Sequence, residues 1–251
     1  MPVRNLLRGL RLAPLLAAVS CSALLASTAA AQTAAQWLET CQSDTEHTAA
    51  RIAACTRSIE MLEDQGARMD ALLQRGVLQE LGGEREAAVR DYSEVIKLDP
   101  RNALAFFNRA NAYDQLGNTD LALADYTEAI KIDPTDPDFY NNRGQTYDSR
   151  GEHDRAIADY TQAIRLDGSD PRPYYNRGLS LATKGEFERA VAEFDTAIKL
   201  TPDDVDLYVA RGAAYEELGN TAAARADYNK VLEIDPGNED AQEGLNRVGG
   251  N

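Results

Sequence analysis

The chain has 251 residues, with 26 basic side chains against 41 acidic ones, a net charge of −15 and only two histidines. That sign excludes nucleic acid as a natural partner, since phosphate binding needs a basic patch, and it disfavours anionic membrane surfaces. No Walker loop, dinucleotide-binding glycine fingerprint, nucleophile elbow or H-E-x-x-H spacing occurs, and neither His47 nor His153 belongs to a ligand spacing. No catalytic residue, metal or cofactor is expected. The chain reads as a binding protein, not an enzyme.

Residues 1–31 stand apart from the rest of the chain. Arg4, Arg8 and Arg11 make a basic start, Leu12 to Ala26 an apolar run, and Ala29, Ala30 and Ala31 a small-residue exit. This is the pattern of a secretory signal peptide cut near Ala31. The run of 15 residues is short of the ~20 that a spanning helix needs. A retained anchor is the alternative. Lipid attachment at Cys21 is disfavoured because Ala18-Val19-Ser20 lacks a leucine three residues upstream. Without the leader, 23 basic residues face 41 acidic ones, a charge near −18. The expected location is periplasmic or secreted, with no membrane insertion after cleavage.

Residues 32–68 carry a helical stripe of Ile52, Cys55, Ile59 and Leu62. Without the leader, the remaining cysteines are Cys41 and Cys55. An even count in an exported chain suggests a disulfide, and a loop of about 15 residues would contribute roughly 3 kcal/mol on the entropic account. The other reading is two small buried apolar residues in a reduced protein.

From Met69 the chain repeats with a period of 34 and no insertion: 69–102, 103–136, 137–170, 171–204 and 205–238. Position 8 of each copy is Gly76, Ala110, Gly144, Gly178 and Gly212; position 20 is always alanine; position 24 is Tyr92, Tyr126, Tyr160, Phe194 and Tyr228. Each copy is predicted to be a hairpin of two helices, unable to bury its apolar face without a neighbour. Asn102, Asp136, Asp170, Asp204 and Asn238 are placed as N-caps, with Pro137 and Pro171 just inside. Gly83, Gly117, Gly151, Gly185 and Gly219 end the first helices. Shifting back one period to Ala35 gives a degenerate unit over 32–68, in which Ser58 takes the aromatic position and Gln42 the small one. Residues 239–251 read as a capping helix with Ala241, Leu245 and Val248 on one face.

These columns resemble the tetratricopeptide repeat, over 69–238. The resemblance implies an all-α fold, a right-handed α-solenoid of helix-turn-helix repeats. It also implies a concave groove lined by the first helices, chiefly through positions 2, 5, 6, 9, 12 and 13. The groove residues it selects are Phe107, Asn108, Asn111, Asn142, Gln145, Tyr175 and Asn176. Asn108, Asn142 and Asn176 form a row at position 6. A carboxamide donates and accepts at once, which suits an extended peptide of little fixed sequence; the row is equally compatible with plain solvation. Some family members grip a C-terminal carboxylate with cationic residues at positions 2, 5, 6 and 9. Here Phe107, Asn141 and Tyr175 stand at position 5, so an acidic C-terminal motif is not the expected ligand.

Position 7 is Arg75, Arg109, Arg143, Arg177 and Arg211, and position 23 is Asp91, Asp125, Asp159, Glu193 and Asp227. The matched signs predict a ladder of ion pairs between helices in preference to a ligand track. The chain is therefore expected to be a non-catalytic envelope scaffold that binds a basic or neutral protein or extended peptide. The rival readings are an accessory subunit of an envelope-biogenesis or polysaccharide-synthesis complex, and a self-assembling repeat protein.

Overall fold

The computed structural model describes residues 34–43 and 47–249. The leader, its cleavage point and Cys21 lie outside them. The described residues form thirteen helices and no strand, in two compact units that meet in sequence at Ile132 and Asp133. The first unit holds α1 (residues 34–42), α2 (Thr48–Met61), α3 (Gln65–Leu81), α4 (Arg85–Leu98), α5 (Ala103–Gln115) and α6 (Thr119–Ile132). The second holds α7 (Pro137–Ser149), α8 (His153–Leu166), α9 (Pro171–Thr183), α10 (Phe187–Leu200), α11 (Val205–Glu217), α12 (Thr221–Ile234) and α13 (Glu239–Gly249).

The punctuation anticipated from sequence is in place. Asn102, Asp136, Asp170 and Asp204 each accept a backbone N–H two or three residues on, as does Asn238 ahead of α13. The five glycines that close the first helices have φ of +70° to +81°, a conformation that a side chain would strain. Within each hairpin the aromatic at position 24 lies against the backbone of position 8. A Cβ on Gly178 would come within 2.5 Å of the Phe194 ring, and one on Gly144 within 2.7 Å of Tyr160. These rings are essentially inaccessible to solvent and fill the seam that the alanines leave.

The arginine ladder is formed, and it is more buried than a surface ladder would be. Arg109 donates to Asp125 through Nε (2.7 Å) and Nη2 (2.9 Å), and Nη1 reaches back to Ser93 Oγ of the preceding hairpin at 2.9 Å. Arg75 and Arg211 make the same fork, to Asp91 and Asp227, and reach back to Thr56 and Asp195. Arg143 forks onto Asp159. The rings of Phe106 and Tyr113 flank the Arg109 guanidinium, as Tyr208 and Tyr215 flank Arg211. Each of these arginines thus ties its own two helices together, and Arg75, Arg109 and Arg211 also bind the previous hairpin.

That ladder corrects the frame of the degenerate unit. The hydroxyl reached from the next hairpin comes directly after the aromatic: Ser93 after Tyr92, Thr161 after Tyr160. Arg75 reaches Thr56, so Cys55, not Ser58, occupies the aromatic position. The second helix of this unit is offset by three residues from the 34-residue period. Asp64 caps α3, which starts at Gln65, inside the segment assigned to the degenerate unit. Cys41 and Cys55 are fully buried, with their sulfurs at bonding distance. They take the place of the glycine–aromatic contact.

At the other end, α13 packs on α11 and α12 as a next first helix would, burying Ala241 and Val248 and exposing Gln242, Glu243 and Asn246. That exposed face is polar, as a cap should be.

Arg177 differs from its fellows. Both oxygens of Glu193 meet Nη2, at 2.8 and 2.7 Å, and Nε is left buried without a partner. The extra methylene of glutamate turns a side-on fork into an end-on contact. We expect Glu193→Asp to restore the fork and raise stability by about 1 kcal/mol, the usual cost of one unmet buried donor. By contrast Arg109→Ala, which strands a buried Asp125, should cost about 3 kcal/mol. Urea denaturation of both variants checks the pair, and equal effects of the same sign would contradict this account.

Candidate functional site

In each unit first helices touch first helices: α3 meets α5, and α7 meets α9, which meets α11. Within each unit no second helix touches the next second helix. Hairpins that crowd on one side and spread on the other curve toward the crowded side, so the first-helix row is the inner face of each unit.

The structure brings four of the expected groove residues to the inner face of the second unit. Gln145 and Tyr175 are half-buried there, as are Asn142 and Asn176. The amides are partly spent on one another. Asn176 Nδ2 donates to Asn141 Oδ1 at 3.0 Å, and Asn141 Nδ2 donates to Asn142 Oδ1 at 3.3 Å. Asn141 is buried and is the link that joins the other two. Tyr175 also packs on Phe194, with ring centroids 6.1 Å apart.

The first unit departs from expectation. Asn108 is only 2% exposed, and Gln74, one repeat earlier, 4%. Both side chains are buried, so Asn108 does not offer a solvent-facing amide. Asn111 accepts a hydrogen bond from the Tyr126 hydroxyl at 2.6 Å, and Phe107 stacks obliquely on the Tyr126 ring. In this hairpin position 8 is Ala110, whose Cβ occupies the space a glycine leaves in the others, and the tyrosine finds position 9.

Sequence reasoning missed a second network behind the inner face. The position-24 hydroxyl donates to the acid at position 12 of its own repeat: Tyr92 to Glu80, Tyr160 to Asp148, Tyr228 to Glu216. The signal was present, because the repeat with Phe194 has Leu181 and Ala182 around position 12 and no acid there. The next first helix adds a donor in two cases, Ser180 to Asp148 at 2.6 Å and Arg247 to Glu216 at 2.9 Å. His153 Nδ1 also lies 2.9 Å from Asp148. At Glu80 the residue matching Ser180 is Ala112, and Glu80 Oε1 is buried without a partner.

Burial therefore pushes the Glu80 carboxyl up to about 7, against the smaller opposing pull of Tyr92 and Arg85. No group of three or more potential metal ligands occurs among the described residues.

Tandem hairpins with positive-φ glycine turns and an inner row of first helices define a helical-repeat scaffold of the α-solenoid class. Family models described as tetratricopeptide repeat match residues 103–136, 125–158 and 175–239, and one described as TPR repeat matches 81–117 and 146–185. The chain belongs to the tetratricopeptide repeat family. Among solved structures, the crystal structure of MamA is similar at 26% identity over 64% of this chain and 94% of that one, with a TM-score of 0.61. A tetratricopeptide repeat protein from Parabacteroides merdae matches at 20% identity over 86% of both chains, with a TM-score of 0.72. YrrB, titled as a TPR protein with an unusual peptide-binding site, matches at 21% over 76% of this chain and 97% of its own, with a TM-score of 0.63. The last two likenesses speak for the fold. No curated protein matches the sequence.

Glu80 generates a pH prediction. Its folded value lies above the ordinary 4.5, so its protonated form stabilises the fold fully below pH 4.5, and that contribution is lost as pH rises through about 7. We expect Glu80→Gln to gain about 3 kcal/mol on the wild type between pH 4.5 and 8, read as the difference in thermal midpoints across that range. A gap that does not change with pH would contradict the assignment.

Proposed function

We propose that this protein is a non-catalytic scaffold exported to the bacterial cell envelope, where it holds an extended polypeptide along its first helices. The observation that carries the reading is the inner row α7, α9 and α11, with half-buried Asn142, Gln145, Tyr175 and Asn176 along it. Amides that already pair with one another can exchange those partners for a peptide backbone at little net loss. Membership of a repeat family built for extended surfaces supports the same reading. The polar face of α13 supports a capped array over head-to-tail assembly.

The test is a titration with dodecapeptides selected on the full chain from a random library. Asn142→Ala with Gln145→Ala should weaken the selected peptides about tenfold, a loss of about 1.4 kcal/mol, and lower stability by about 1 kcal/mol for the donor stranded on Asn141. Wild-type affinity in that variant would remove the groove from the account.

Export rests on the leader pattern of residues 1–31 and on the paired cysteines. Sulfurs at bonding distance inside the hairpin favour a bridge in an oxidising compartment. The exported protein should begin at Gln32 by N-terminal sequencing, and its Cys41 and Cys55 should resist alkylation until reduced. Reduction should lower stability by roughly 3 kcal/mol, for a loop of about 15 residues. Free thiols in the exported protein would count against both steps.

A further inference from the structure

The seam between α7 and α9 holds a cation of its own. Arg172 lies at the second position of α9, and Asp170, which caps that helix, accepts from its Nε at 3.0 and 2.9 Å and from its Nη2 at 2.5 Å. Nη2 also reaches Asp138 of the preceding hairpin at 2.7 Å. The N-cap aspartate and a neighbouring carboxylate together form a guanidinium seat.

One repeat later the cap recurs but the seat does not, because Arg172 stands where Asp138 stood. Asp204 caps α11 as Asp170 caps α9, accepting the backbone N–H of Asp206 at 3.1 Å. Asp206 stands where Arg172 stood, so the position that supplied the cation now supplies another carboxylate. Both aspartates are exposed, and neither is ion-paired to a described residue. Pro171, Arg172, Tyr175, Asp204, Asp206 and Leu207 enclose a cleft of about 80 Å³.

Arg172 cannot neutralise this cleft, because Asp138 and Asp170 already hold its guanidinium. Asp204 and Asp206 thus line the cleft with no cation committed to them. The Tyr175 ring forms a half-buried wall, and burial followed by the charges of Asp206 and Asp204 pushes its hydroxyl above the ordinary value. A negative field and an aromatic face therefore meet in one space, the combination that attracts a cation through charge-assisted hydrogen bonds and the ring quadrupole.

We propose that this cleft seats a cationic side chain of the bound polypeptide, arginine ahead of lysine, with its stem along Tyr175 and its head between Asp204 and Asp206. The inference rests on the reading that the inner face holds a polypeptide. It adds that the partner is read at this repeat by positive charge. Arginine is favoured because a planar fork fits two carboxylates, as Arg172 does one seam away.

The test uses the full chain and the selected dodecapeptides, each synthesised with arginine, lysine or citrulline at its cationic positions. Asp204→Asn with Asp206→Asn removes the charge and keeps the cap, since Asn102 and Asn238 cap their helices with the same side chain. We expect citrulline to cost the wild type at least tenfold in affinity and the double variant nothing. Asp206→Arg, which puts a cation in place of one of the two carboxylates, should also lose at least tenfold. Selected peptides without arginine or lysine, or a double variant that still prefers arginine over citrulline by tenfold, would overturn the cleft while leaving the groove standing. Failure to select any binding peptide would overturn the groove reading and this inference with it.

Discussion

A buried guanidinium sets the register of the stack. In each hairpin one arginine meets an acid on the partner helix, and where its third nitrogen reaches back it meets the second helix of the preceding hairpin. Isolated surface ion pairs add little, but these arginines are only 16–18% exposed in their side chains and their acids 7–17%. Once buried, the group enforces its geometry, because losing one partner leaves an uncompensated charge. A one-residue slip in either helix would do that. Arg75 shows the constraint acting on structure and not on spacing: the chain before it is out of phase, and α2 is placed so that Thr56 still meets the guanidinium.

The same offset explains the chemistry of the first hairpin. Elsewhere a tyrosine or phenylalanine lies on a small residue and fills the seam. With α2 set three residues early, the seam falls to Cys55, a side chain too small to fill it alone. Cys41 closes the gap from the facing helix. A contact between two sulfurs thus stands where the other hairpins have a ring. At the opposite end no such device is needed, since Tyr228 packs against Gly244 and its hydroxyl meets Glu216, which Arg247 also holds.

The fold was legible because its instructions are local and repeated. Caps, glycine turns, the alanine column and the aromatic column each carry a geometric meaning that survives in isolation, and five copies averaged out the exceptions. The offset of the first hairpin was not legible, because it depends on where a guanidinium from the next repeat lands. The candidate site was legible only in outline. The row of asparagines at position 6 could be read, but not that Asn108 is buried, nor that Asn141, at a neighbouring position, joins Asn176 to Asn142. Those outcomes depend on small rotations between hairpins. Position 12 could have been found by pairing columns, since the acid is missing from the one repeat that carries phenylalanine.

An inner wall that satisfies its own amides is not thereby closed. Hydrogen bonds between side chains at the rim are exchangeable, so a peptide backbone entering there trades like for like and gains little net energy. What it cannot trade away is charge. Where the chain supplies Arg172 between Asp138 and Asp170, a second cation gains nothing. Where Asp206 replaces the arginine, two solvated carboxylates stand beside an aromatic wall, and a cation gains both. Amide exchange along α7 and α9 is tolerant of sequence, while the seam between α9 and α11 discriminates by sign. A repeat array can therefore hold many backbones and still choose among side chains by changing one residue of the repeated pattern.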